Sequence, residues 1–135
     1  MGVRVVWLDS EQTILSYVFE GNWTWDEMRL AIEQANACMD MVVHRVDFIA
    51  DTRNSGFMPT DVIANVRQLA LSVPPHPNYG GTTVFVGSNA LVRTLMNMVV
   101  HIYRQLNQDH TFVFVGTLEE AYAIISEHRA RRHSA

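Results

Sequence analysis

A single-domain α/β fold, with a mixed, mostly parallel sheet and an N-terminal antiparallel hairpin, is predicted by three observations. Short β-branched and aromatic runs alternate with stretches whose apolar residues recur at helical spacing. The first two of these runs are only four residues apart, too close for a parallel crossover, which needs a dozen or more. No repeat, low-complexity stretch or interdomain linker interrupts the 135 residues, the size of one ordinary domain. The predicted order is β-β-α-β-α-β-α-β-α, with residues 1–135 as one unit and 129–135 as a frayed helical tail.

The opening hairpin is formed by the run from Val3 to Leu8 and the run from Thr13 to Phe19, joined by the polar segment Asp9-Ser10-Glu11-Gln12. Glu20 to Trp23 turns the chain. Thr24-Trp25-Asp26-Glu27 then has the form of a capping box, in which the Thr24 hydroxyl accepts from the Glu27 amide and the Glu27 carboxylate reaches back. Trp25, Met28, Ile32, Ala35 and Met39 follow as one apolar stripe, which should face the sheet.

Val46 to Asp51 reads as a buried central strand, and Thr52 to Thr60 as an exposed loop at its carboxyl end. A second helix follows Pro59 and Thr60, with Ile63, Val66, Ala70 and Val73 inward, and it stops at Pro74-Pro75 because proline cannot continue it. Thr82 to Val86 is the next strand, and Ser88 caps a third helix carrying Leu91, Leu95, Met98, Ile102 and Leu106 on one side. Thr111 to Val115 is the last strand. Thr117-Leu118-Glu119-Glu120 is a second capping box, opening a helix with Ala121, Tyr122, Ile124 and Ile125 inside.

Composition narrows the function classes. The apolar fraction of 48% and charged fraction of 18% are those of a packed globular protein. Ten basic against fourteen acidic residues give a formal net charge of −4, with no basic face for nucleic acid. Arg129, Arg131 and Arg132 form the one positive cluster, expected as a solvated helix end that complements the helix dipole. The sole cysteine, Cys38, allows no internal disulfide and fits a reducing cytoplasm. No apolar run approaches the roughly 18 residues of a membrane span, and the N-terminal residues lack a signal-peptide pattern, so a cytoplasmic protein without membrane insertion is expected.

No catalytic constellation emerges, and a non-enzymatic role is expected. The six histidines do not pair with each other, with Cys38 or with carboxylates at a metal-binding spacing, so neither a metal nor a cofactor is expected. Ser88 lies outside any G-x-S-x-G elbow, and the glycines do not compose a phosphate loop. What remains is the carboxyl end of the central strand, the edge at which open α/β sheets usually bind ligands. Asp51, Thr52, Arg53, Asn54, Ser55, Phe57 and Met58 are the candidate contact residues there, with Asp51 expected to cap or pair with Arg53. Trp7, Trp23, Trp25, Phe57, Met58 and Tyr79 are the candidates for an apolar pocket or partner patch, with Trp7 and Trp25 favoured as core.

The hairpin, the Phe19-Glu20-Gly21-Asn22-Trp23-Thr24 entry to the first helix, the Val46–Asp51 strand and the Thr117–Ala121 opening of the last helix resemble the STAS superfamily. Within it, the likeness is to bacterial proteins similar to the sporulation anti-sigma-factor antagonist. The resemblance implies a regulatory domain that contacts a protein partner, or itself as a homodimer, through the loop after the central strand. STAS antagonists place a phosphorylatable Ser or Thr there, in an Asp-x-Ser-Gly-like turn, which makes Thr52 and Ser55 the candidate phosphoacceptors. In Asp51-Thr52-Arg53-Asn54-Ser55-Gly56 the Ser-Gly pair comes two residues later than in that turn. The element order is also similar to lipid carriers of the CRAL-TRIO type, which implies the alternative of a small apolar ligand in an enclosed cavity.

Overall fold

The computed structural model describes residues 2–56, 59–87, 90–105 and 111–134, without the side chains of 90–92, 95, 96, 99, 133 and 134. Its elements follow the predicted order: β1 (Gly2–Trp7), β2 (Ile14–Gly21), α1 (Trp25–Asp40), β3 (Val46–Ser55), α2 (Val62–Ser72), β4 (Tyr79–Val86), α3 (Ala90–Gln105), β5 (Thr111–Val115) and α4 (Leu118–Ser134). The five strands lie in the sheet in sequence order, with β1 antiparallel to β2 and every later pair parallel.

The hairpin turn is held by the Asp9 carboxylate, which accepts from the backbone N–H groups of Thr13 and Ile14 and from the Thr13 hydroxyl. Because β2 to β5 advance steadily across the sheet, right-handed crossovers put α1, α2 and α3 on one face. The terminal helix α4 covers the other. Strand alternation sorts the residues accordingly. Leu15 and Phe48 pack with Ala35 and Met39 of α1, and Phe85 and Phe114 pack with Val66 of α2 and Ile102 of α3. Ile14, Ile49, Val84 and Val115 instead pack with Ala121 and Ile125 of α4.

Helix α1 begins at the expected capping box, with both reciprocal hydrogen bonds formed. Helix α2 has no side-chain cap: Asp61 precedes it in the left-handed region at φ 59°. At Thr117 the hydroxyl accepts from the Glu120 amide, as the motif requires, while also donating to the Glu120 carboxylate.

Several expectations are corrected. Thr52 to Ser55 are strand, not loop, because β2 runs on to Gly21 and supplies a partner: Asn54 pairs with Glu20 and Ser55 with Gly21. Ile63 is 45% exposed, since α2 turns Val66 and Ala70 inward. Met98 and Tyr122 also lie outward, while Ile102, Ala121 and Ile125 fill the core as expected. Leu106 and Ser88 lie outside the described residues, as do the side chains of Leu91 and Leu95.

Candidate functional site

A central parallel strand covered by helices on both faces should be buried along its whole length. Strand β4 is not. Its residues alternate strictly between half-buried and buried from Tyr79 to Val86, and the half-buried set, including Thr83 and Phe85, faces α1–α3. Tyr17, Phe112 and Phe114 on the same face also retain accessible surface. The helical layer on this side therefore does not close onto the sheet.

The unfilled space is a cavity of about 220 Å³ between α1, α2 and the sheet. Its floor is aromatic, with Tyr17, Phe19, Phe48, Phe85 and Phe112 around the small Ala50 of β3. Register places Ala50 between Tyr17 and Phe85, so the two rings flank a position with almost no side chain. One wall is the α1 stripe of Trp25, Met28, Ile32, Asn36 and Met39; the other is Val66, Leu69 and Val73 at α2. The walls stand apart because α1 leans on β1 and α2 packs on α3.

Tryptophans fix the end of the cavity nearest the carboxyl edge of the sheet. Trp23 is buried, meets Phe19 and Trp25 at ring-centroid distances of 5.0 and 5.1 Å, and donates from Nε1 to Ser55 Oγ at 3.1 Å. Trp25 Nε1 donates to the Thr60 carbonyl at 2.8 Å, tying the start of α1 to the segment before α2. The opposite end is rimmed by the exposed Pro74 and Pro75 and by His76. The His76 Nδ1 accepts from the Asn78 N–H, which leaves the proton on Nε2, 2.6 Å from Asp40 Oδ1 at the end of α1. Asn78 in turn donates to the carbonyls of Met39 and Val42. This rim is strapped to the last turn of α1.

The polar groups inside are uncharged. Tyr79 Oη and Thr83 Oγ1 are 2.7 Å apart, and Thr52 donates to the Val86 carbonyl. Burial pushes the hydroxyl pKa values of Tyr17, Tyr79 and Tyr103 up, so all three phenols stay protonated at neutral pH.

The candidate contact residues divide between the two faces of the sheet. A bulge adds one residue to β3 between Asp51 and Asn54, and it turns Ser55 to the cavity face with Thr52. The candidate phosphoacceptor hydroxyls are thus both half-buried and hydrogen-bonded. Asp51 points to the α4 face, where Arg53 grips it through Nε at 2.9 Å and Nη2 at 2.8 Å. That grip holds the Asp51 carboxyl below its ordinary pKa against the opposing effect of burial. Arg53 and Asn54 are exposed beside it. Phe57 and Met58 lie outside the described residues. Of the proposed pocket aromatics, Trp23, Trp25 and Tyr79 line the cavity, while Trp7 packs with the cluster around Leu15 and Met39.

On the far side of the sheet is a buried ion cluster that sequence reasoning missed. Asp47, 1% exposed, accepts from Arg129 Nε at 2.8 Å and Arg132 Nη2 at 2.9 Å through one carboxylate oxygen. Arg129 also reaches the Thr13 carbonyl, and Arg132 that of Gly80. Of the expected solvated arginine cluster, only Arg131 is exposed, paired along α4 with Glu127. Among the described residues, no group of three His, Cys, Asp or Glu side chains is arranged to hold a metal, and no helix is long and apolar enough to cross a membrane.

No family model, curated protein or solved structure matches this chain.

Proposed function

We propose that this domain binds a small apolar molecule in the cavity between α1, α2 and the aromatic face of its sheet. The observation that carries the reading is the alternating burial of β4, a covered central strand whose inner face nevertheless keeps accessible surface. The lining atoms around this space of about 220 Å³ lack neighbours on one side and forgo the dispersion contacts of a packed core. An occupant recovers the lost contacts, and the concave, mostly apolar lining with a few fixed polar groups is the usual form of a small-molecule site.

The test is native mass spectrometry of freshly purified protein, joined to titration of Trp23 and Trp25 fluorescence with small aromatic probes. A co-purifying mass or saturable probe binding, abolished by Leu69→Trp in a folded protein, supports the reading. Probe binding that survives Leu69→Trp unchanged overturns it.

A second reading, a STAS-like regulatory domain meeting a protein partner or a second copy of itself, draws support from the exposed Arg53 and Asn54 beside the cavity residues Thr52 and Ser55. Light scattering and pull-down with Arg53→Ala test it. Loss of a stable association in the variant supports this reading, and a monomer that captures nothing counts against it.

A further inference from the structure

Resting on the cavity reading, we infer that the occupant is an uncharged, single-ring-sized molecule carrying one hydroxyl or carbonyl group, which the Asn36 side-chain amide binds. Size sets the first limit. A cavity of about 150 Å³ lined by Leu, Ile and Phe is large enough for benzene. The 220 Å³ here exceeds that by about 70 Å³, the room of roughly two further heavy atoms at ~30 Å³ each. It falls short of the roughly 300–1,000 Å³ typical of sites for larger ligands. A ring with a short substituent fills this space; a long acyl chain would project beyond it.

Charge sets the second limit. The described lining residues include no Asp, Glu, Lys or Arg. His76 is at the rim, with both ring nitrogens already engaged by Asn78 and Asp40. The tyrosine hydroxyls inside are held protonated by burial. An ionised ligand group entering this chamber meets no counter-ion among the described lining residues, and burying an unpaired charge costs several kcal/mol. A carboxylate, phosphate or ammonium is therefore selected against.

Asn36 supplies the polar contact. It is the one polar residue in the α1 stripe that faces the cavity, half-buried among Ile32, Met39 and the aromatic floor. Its side chain makes no hydrogen bond to another described residue. A primary amide offers two donors and an acceptor, so one position serves either a hydroxyl or a carbonyl. The amide is not sealed off from the open pocket, so a ligand group can reach it.

The experiment measures binding of three probes of one shape and size: benzyl alcohol, ethylbenzene and benzylammonium. At about pH 7.5, benzyl alcohol is expected to bind at least about tenfold more tightly than benzylammonium, a difference of about 1.4 kcal/mol. The gap should narrow as pH rises toward the amine's own deprotonation range, with benzyl alcohol at the same pH controlling for any change in the protein. Asn36→Leu should reduce the preference for benzyl alcohol over ethylbenzene by about fivefold or more. Equal binding of the alcohol and the ammonium at neutral pH, or an alcohol preference that survives in folded Asn36→Leu, overturns this inference and leaves the cavity reading standing. Failure of all three probes to bind overturns both. The alcohol-to-ammonium comparison uses the unaltered protein, so it decides the charge limit even if Asn36→Leu does not fold.

Discussion

Trp23 Nε1 and Ser55 Oγ, 32 residues apart in sequence, meet at 3.1 Å and join the entry of α1 to the last residue of β3. The indole is buried, so this hydroxyl is what keeps its N–H from being stranded away from water. Ser55→Ala is expected to destabilise the protein by about 1–3 kcal/mol, the cost of leaving a buried donor unsatisfied. Urea denaturation checks it: the midpoint should fall with the m-value unchanged. A shift too small to measure would mean that water replaces the hydroxyl.

Asp47 fastens the C-terminal helix to the start of the central strand, although its partners lie 82 and 85 residues away. Asp47→Ala leaves Arg129 and Arg132 partly buried without their counter-charge and should cost about 3–5 kcal/mol. Removing residues 129–135 should be comparably damaging, since it strands the Asp47 carboxylate. Thermal denaturation of both variants checks this, and a truncated protein as stable as the full chain would refute the anchoring role. Gly80→Ala should also destabilise, because an added Cβ falls 2.3 Å from Asp47 Oδ1 and 2.7 Å from Arg132 Nη1.

Asp51 and Asp9 give the fold a dependence on acid. The Arg53 side chain lowers the Asp51 pKa against desolvation; for Asp9, burial raises the pKa, but hydrogen bonds from Thr13 and Ile14 outweigh it and the net shift is down. A carboxyl whose folded pKa is depressed contributes stability that is fully present above the unfolded value of about 3.9. That contribution fades as pH drops below it and is gone once the folded pKa is passed. Stability should therefore be level in this respect near neutral pH and decline below about pH 4. Asp51→Asn should flatten part of that decline in a pH series of denaturation midpoints. A variant with the same acid profile as the parent would remove Asp51 from the account.

The element order and sheet class are legible in the sequence because they rest on local signals: β-branched runs, the Thr24–Glu27 box and the Pro74-Pro75 stop. What escapes is set by tertiary geometry. Thr52 to Ser55 read as loop from their polarity, but the extended end of β2 recruits them into the sheet. Arg129 and Arg132 read as a solvated helix end, since nothing local says that α4 lays them over Asp47. An Asp inside the apolar run from Val46 to Ala50 is the available clue, because a buried charge requires a partner. Trp23 and Tyr79 stand out as pocket candidates by residue type, whereas Trp25, favoured as core, is half-buried and lines the cavity, and Asn36 is hidden among the apolar residues of its stripe. The cavity itself has no sequence signature: it exists because α1 and α2 lean apart, which no single residue dictates.

That geometry makes the last prediction one of opposite signs. If the space over Ala50 is kept open for a ligand, filling it should help the fold and harm binding. Ile32→Phe points a larger side chain from α1 into the hollow and is expected to raise stability by about 0.5–2 kcal/mol, as cavity-filling changes commonly do. The same change should weaken benzyl alcohol binding by about tenfold or more, because the added ring competes for space that the probe requires. Thermal denaturation and fluorescence titration of one preparation read both effects. A less stable protein that binds the probe as before would mean that the introduced ring has been driven outward and that the walls, not the open volume, set the affinity.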